Sequence, residues 1–281
     1  MQLGEFELQV IHENRFWIDG GAMFGVVPRV LWETMARPDG RNRIALQANL
    51  LLVRTPQKNI LVETGLGDAI PEKWKVNYGV EGPSRMLGQL RQLGLDPLDI
   101  DVVVLTHLHF DHAGGCIHLE NGDLVPIFSD AYHVVQAKEW EDALAPDERS
   151  KASYMKEMLL PIYHRGLLKL VEGSTEVLPG IQVVETGGHT RGHQVVLFSS
   201  RGNKAMYTGD LIPTSSHLKI PYVAGVDLFP VETMRQKERM IQRAVEENWL
   251  VLFGHDTEID AGYLSQGNQG KVVLEPATAV S

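Results

Sequence analysis

A single cysteine, Cys116, stands in a chain of 281 residues. One thiol cannot close an internal disulfide, and it rules out an all-cysteine zinc knuckle. A chain of this length can bury enough apolar surface to fold without covalent staples. Long hydrophobic runs are also missing: none approaches the roughly 18–20 residues that cross a bilayer as a helix. The opening residues, MQLGEFELQVIHENRFWIDGG, carry no basic segment leading into an apolar core, so no secretory signal is expected. Positive charge is in deficit, with 26 Lys and Arg against 36 Asp and Glu and a net charge of −10. Nucleic-acid binders draw their affinity from clustered cations, so this balance argues against one. The expectation is a cytoplasmic protein with no nucleic-acid or membrane partner.

What is present alternates between strand and helix signals. FELQVI, RIALQANLLLVR and NILVE read as strands, and DVVVLT as a strand buried on both faces. PSRMLGQLRQLGL has helical spacing, with Ser84 placed to cap and Gly94 to stop it. Charged, helically spaced residues at about 138–170, punctuated by Pro146 and Pro161, predict a helical insertion. IQVVET, QVVLFSS, KAMYTG and LVLFG are four further strands. TMRQKERMIQRAVEENW is a helix whose Thr233 and Gln236 stand at capping-box spacing. KVVLEPATAVS reads as a short strand and a loose tail. The pattern predicts an α/β layered fold in one domain spanning residues 1–281.

The chemistry sits where strands end. DVVVLT is followed by His107, His109, Asp111 and His112, IQVVETGG by His189, KAMYTG by Asp210 and LVLFG by His255. In an α/β sheet the C-terminal strand ends share an edge, where sites are usually built. His107 and His109 project to the same side of an extended backbone. Neutral imidazole with carboxylate suits zinc, with manganese, iron or cobalt as alternatives. Seven candidate ligands exceed the need of one tetrahedral ion and match two ions sharing one carboxylate.

Together THLHFDHAGG, GGHTRGH, YTGD and FGHD resemble the metallo-β-lactamase superfamily, whose αββα sandwich of two mixed sheets flanked by helices is the fold implied. The resemblance implies one ion on His107, His109 and His189, and a second on Asp111, His112 and His255, with Asp210 bridging. A hydroxide between two zinc ions would be the nucleophile, and Asp111 could pass a proton towards the leaving group. His193 is expected to support its loop, and Glu63, where this family usually has Asp, to lie behind the ligands. Asp210 stands where exported β-lactamases use cysteine, and too few residues follow His255 for a glutathione-gripping helical domain. The nearest pattern is the quorum-quenching N-acyl-homoserine lactonase branch, acting on a small-molecule lactone or related ester. That branch often has a tyrosine three residues after the bridging Asp, where this chain has Pro213; Tyr207, Tyr222 or His217 are the expected replacements. Met23, Phe24, His217 and Tyr222 are expected at the substrate pocket, with Trp74 and Tyr78 weaker candidates. The apolar loop from Gly20 to Trp32 is also where a homodimer would form. The alternative functions are a mononuclear iron dioxygenase of sulfur compounds and a phosphoester or phosphotriester hydrolase.

Overall fold

The computed structural model describes residues 1–277, and two seven-stranded sheets stack face to face in it. The first is opened by β1 (Gln2–Leu3), β2 (Phe6–Asp19), β3 (Arg43–Arg54), β4 (Asn59–Val62) and β5 (Val102–Val104). A separate hairpin, β6 (Ile117–Glu120) and β7 (Asp123–Pro126), follows, and β8 (Tyr132–Gln136) and β9 (Leu168–Val171) complete the first sheet. Pairing is antiparallel from β1 to β4 and parallel from β4 to β9. The second sheet runs in chain order: β10 (Thr175–Leu178), β11 (Ile181–Glu185), β12 (Gln194–Ser200), β13 (Asn203–Tyr207), β14 (Leu250–Leu252), β15 (Ala261–Gln266) and β16 (Val272–Pro276). Only its β13–β14 pair is parallel.

The layers follow from the period-2 alternation of strands. Val102 and Val104 meet the second sheet, whereas Val103 and Leu105 point to the opposite side. Leu250 and Leu252 enter the same inter-sheet core, while Val251 and Phe253 face outward. Helices cover both outer faces. Along the chain these are α1 (Gly20–Phe24), α2 (Arg29–Trp32), α3 (Glu72–Asn77), α4 (Met86–Gln92), α5 (Phe110–Ala113), α6 (Ala137–Leu144), α7 (Lys156–His164) and α8 (Pro230–Glu246). Helix α8 lays Met240, Ile241 and Ala244 against Val195, Met206 and Val251 of the second sheet. This is the αββα sandwich. No described helix is long and apolar enough to cross a membrane.

Several boundaries differ from expectation for local reasons. Helix α8 begins at Pro230, whose fixed φ is pre-set for a first helical position. Thr233 therefore lies inside the helix, and Gln236 bonds Glu232 at 2.7 Å in place of a capping box. Helix α4 starts after Arg85, and Ser84 instead donates its backbone N–H to Asp68 Oδ1 at 2.8 Å. The segment expected to be wholly helical holds α6 and α7 but ends in β9, which pairs with β8. Strand β16 is present, and the end of the expected tail, residues 278–281, lies outside the described residues.

His133, on β8, is buried with neither ring nitrogen hydrogen-bonded. Burial pulls its pKa from 6.5 to about 4. As pH falls through 6.5 the unfolded chain takes up this proton first, so stability drops until about pH 4. Its share is about 3 kcal/mol, taking roughly 1.4 kcal/mol per unit. Urea unfolding of wild type and His133→Leu at pH 7 and pH 4 should show the variant losing less stability by about that amount. Equal losses would clear His133 of the acid lability.

Candidate metal centre

The sandwich brings the four strand-end motifs to one edge. The loop after β5 and the first turn of α5 carry His107, His109, Asp111 and His112. His189 lies between β11 and β12, Asp210 after β13, and His255 after β14. Ligand atoms of His107, His109 and His189 lie within 4.8 Å of one another, as do those of Asp111, His112 and His255, and those of His107, His112 and Asp210. All seven expected ligands are thus gathered at one point.

Within this cluster His189 Nε2 lies 3.1 Å from His109 Nδ1, and His255 Nε2 lies 3.0 Å from His112 Nε2. Asp210 reaches both groups. Its Oδ1 is 3.1 Å from His255 Nε2 and 3.4 Å from His112 Nε2, and its Oδ2 is 3.3 Å from His189 Nε2. Asp111 Oδ2 stands 3.7 Å from His255 Nε2 and 3.8 Å from His112 Nε2. His107 Nε2, His109 Nε2 and Asp210 Oδ1 are buried without any hydrogen-bond partner. Orphaned donors and acceptors are rare in folded proteins, and a set built of imidazole and carboxylate fits one or two divalent ions.

The far side of four of the five rings, all but His109, is held by a different element, which fixes which nitrogen turns inward. His189 Nδ1 meets Asp227 Oδ1 at 2.8 Å, and His112 Nδ1 meets Glu63 Oε2 at 3.3 Å. His255 Nδ1 meets the Gln47 carbonyl at 3.1 Å, and His107 Nδ1 meets Thr106 Oγ1 at 3.0 Å. Glu63 adopts a left-handed φ of 63°, and its other oxygen accepts the Thr106 N–H at 2.7 Å. Asp227 carried no signal in the sequence beyond being a carboxylate before α8. His193 has both nitrogens engaged, Nε2 accepting the Asp210 N–H at 3.0 Å and Nδ1 meeting Thr186 Oγ1 at 2.8 Å.

Two further buried carboxylates shape the loops. Glu13, at the β2 bulge, accepts N–H groups from Asn14, Leu66 and Gly67 at 2.8, 3.2 and 3.2 Å. The loop it holds crosses the metal-binding turn so closely that a Cβ on Gly115 would lie 2.1 Å from the Thr64 carbonyl oxygen. Glu139 on α6 accepts from Leu108 N–H, Tyr154 hydroxyl and Thr190 hydroxyl at 3.0, 2.9 and 2.5 Å, joining both histidine loops. Burial raises the pKa of each of these glutamates. Burial also opposes charge on Asp210, but the imidazoles of His255, His112 and His189 hold its carboxyl well below the usual carboxylate range. Burial, then mutual repulsion, keeps His107 and His109 neutral, the form a metal takes.

A cavity of ≈ 420 Å³ opens onto the centre, and its wall includes Met23, Tyr78, Phe110, Asp111, Asp210 and His255. Of the four expected pocket residues only Met23 lines it. Phe24 is fully buried between Trp32 and His217, stacked on their rings at centroid distances of 5.3 and 4.6 Å. His217 spends both nitrogens on Thr214 Oγ1 and the Met23 carbonyl, each at 2.8 Å. Tyr222 meets Phe24 edge-on at 6.3 Å, outside the cavity wall. Tyr207 is buried with its hydroxyl on the Asn49 carbonyl at 2.6 Å. None of the three expected replacements for the lactonase tyrosine therefore reaches the cavity.

Removing Asp227 frees the His189 ring to turn. Asp227→Ala should weaken metal affinity roughly 10–100-fold with the fold intact. Competition with a chromophoric chelator, alongside circular dichroism, measures both; unchanged affinity would show that packing alone holds the ring.

With this geometry in view, the chain was compared with known proteins. Residues 43–255 match the model of the metallo-beta-lactamase superfamily. An N-acyl homoserine lactonase of Bacillus thuringiensis is 32% identical over 220 residues, covering 74% of this chain and 80% of that protein. A probable metal-dependent hydrolase from Staphylococcus aureus superposes with a TM-score of 0.90 at 35% identity, over 99% of this chain and 100% of that one. AidC, a dizinc quorum-quenching lactonase, shares the fold with a TM-score of 0.83 at 20% identity, over 100% of this chain and 97% of its own. The chain belongs to the metallo-beta-lactamase superfamily, and it is a metal-dependent hydrolase.

Proposed function

We propose that this hydrolase carries two zinc ions and opens a lactone, or cleaves a related ester, of a small molecule. His107, His109 and His189 would hold one ion, Asp111, His112 and His255 the other, and Asp210 would bridge them. The observation that carries this reading is the straddle of Asp210, with one oxygen beside His112 and His255 and the other beside His189. A single-ion site has no use for two such groups. When bound, the ions supply an activated water near neutral pH and polarise the carbonyl under attack.

The remaining work falls to the chain itself. Asp227, Glu63 and the Gln47 carbonyl each take the Nδ1 side of a ring and so keep Nε2 aimed at the centre. The cavity seats a small substrate against the centre. Asp111 lines the cavity while facing His112 and His255, a position from which a carboxylate can relay a proton between attacking water and leaving oxygen. The names of the relatives, N-acyl homoserine lactonase above all, support a lactone ahead of a phosphoester. The iron dioxygenase alternative would leave Asp111, His112 and His255 converging without purpose.

Metal analysis of the purified protein should give about two zinc per chain, where an iron dioxygenase would give about one iron. In a pH-stat, proton release from a panel of lactones and matched linear esters should be rapid, abolished by chelator and restored by zinc. Asp210→Ala should lose paired-metal binding and most activity. Full metal content and activity in that variant would overturn the bridging assignment, and silence on every lactone and ester would overturn the substrate reading.

A further inference from the structure

We propose that the Tyr78 hydroxyl is a catalytic donor that hydrogen-bonds the leaving oxygen of the substrate as the ester bond breaks. The inference rests on the hydrolase reading above and concerns this chain's cavity wall.

Most polar groups on that wall are already committed. Both oxygens of Asp19 are taken, Oδ1 by the N–H groups of Gly21 and Ala22 and Oδ2 by the side chain of Asn42. The Arg43 guanidinium is engaged twice by Asp39 Oδ2, at 2.9 and 2.8 Å. His109, His189, His255, Asp111 and Asp210 belong to the metal cluster. Besides the side chains of Arg41 and Asn77, two hydroxyl-bearing residues remain on the wall, Tyr78 and Ser153, and of these the phenol is the more acidic and so the better donor. Among the described residues the Tyr78 hydroxyl makes no hydrogen bond. Tyr154 and Tyr207, by contrast, spend theirs on Glu139 and on the Asn49 carbonyl.

The ring is nevertheless fixed. It packs on Phe110 at a centroid distance of 4.6 Å and on Trp74 at 6.0 Å. Its backbone is pinned at both ends, the N–H donating to the Trp74 carbonyl at 2.9 Å and the carbonyl accepting the Trp17 N–H at 2.7 Å. Phe110 directly precedes Asp111, so the phenol stands over the loop that carries the candidate proton relay. A free hydroxyl on a rigid ring at the mouth of a charged centre is pre-organised for developing negative charge.

The chemistry calls for such a donor. The oxygen of one water bonds to the acyl carbon, and the acyl C–O bond breaks with its electron pair passing to the alcohol oxygen. One proton from that water ends on this oxygen and the other is released, giving a hydroxy carboxylate. An alkyl alkoxide is a poor leaving group, so charge peaks on that oxygen before the proton arrives. Tyr78 shares its hydrogen with it at that moment and keeps its own proton.

The test is Tyr78→Phe in the zinc-loaded protein, with metal content and circular dichroism unchanged. On alkyl lactones kcat should fall roughly 10–100-fold. On a matched nitrophenyl ester, whose leaving oxygen needs no donor, it should fall less than about threefold. A readout without turnover is calorimetric binding of the ring-opened hydroxy acid. It should weaken about tenfold, the cost of one hydrogen bond of ordinary worth, while the acid lacking the hydroxyl binds both proteins alike. Equal losses on both substrates would reduce Tyr78 to shaping the pocket, and unchanged kinetics with unchanged hydroxy-acid binding would remove it from the reaction; either overturns the proposal while the hydrolase reading stands. A wild-type protein that neither opens lactones, nor cleaves the ester, nor binds the hydroxy acid would instead bring down the hydrolase reading, and this inference with it.

Discussion

Two carboxylates and five imidazoles meet at one point, and three of their polar atoms, His107 Nε2, His109 Nε2 and Asp210 Oδ1, are buried there without a hydrogen-bond partner. Orphaned polar atoms in a low-dielectric interior cost free energy that an ordinary network of hydrogen bonds would not leave unclaimed. The surrounding protein accepts this cost and adds to it. It fixes the far nitrogens of four of the five rings with separate anchors: Asp227, Glu63, Thr106 and a backbone carbonyl from β3. Anchors from four parts of the chain prevent the rings from turning away to find relief. A divalent cation resolves the frustration that the anchors preserve.

That demand explains why the sandwich must be whole. The first sheet supplies His107 to His112, and the second supplies Asp210 and His255 from the neighbouring parallel strands β13 and β14. Their separation is set by the apolar layer between the sheets, where Val102 and Val104 oppose residues such as Ala205, Leu250 and Leu252. A one-residue slip in either sheet would send these side chains to the other face and scatter the ligands. Even the glycines serve this closeness. Gly67 and Gly115 let the Glu13-held loop pass against the metal-binding turn with no room for a side chain.

Much of this was legible in the residues. Apolar runs bounded by turn residues mark their strands unambiguously, so β3 and β12 coincide with RIALQANLLLVR and QVVLFSS. The candidate ligands were legible because each follows such a run, and the H-x-H-x-D-H pattern sets four of them in adjacent letters. Strand β9 was hidden because LKLV is short and charged, and becomes a strand only through its parallel partner β8. Asp227, Glu139 and Glu13 were hidden for a related reason. A carboxylate's role here is decided by which N–H or ring nitrogen the fold brings to it across long stretches of chain. The pocket residues misled in the opposite sense. Phe24 and His217 are conspicuous as letters, but two flat rings with a third beside them satisfy one another by stacking and turn inward.

Pro213 shows how one position changes its contribution. Its carbonyl accepts the His255 N–H at 2.9 Å, so the residue acts on the metal cluster through its backbone. Proline suits this use, since its fixed φ limits how the segment after Asp210 can move. The side chain there cannot donate to substrate, and the free phenol lies elsewhere on the cavity wall, on Tyr78 at the end of α3. With Tyr78 as the donor, the alcohol side of the bond under attack lies towards Phe110 and Asp111. Ala22, Met23, Leu46 and Val226, also on this wall, would offer the acyl portion an apolar surface. On the proposed reading, such a wall would orient an ester with its alcohol oxygen on the donor and its hydrocarbon on hydrocarbon.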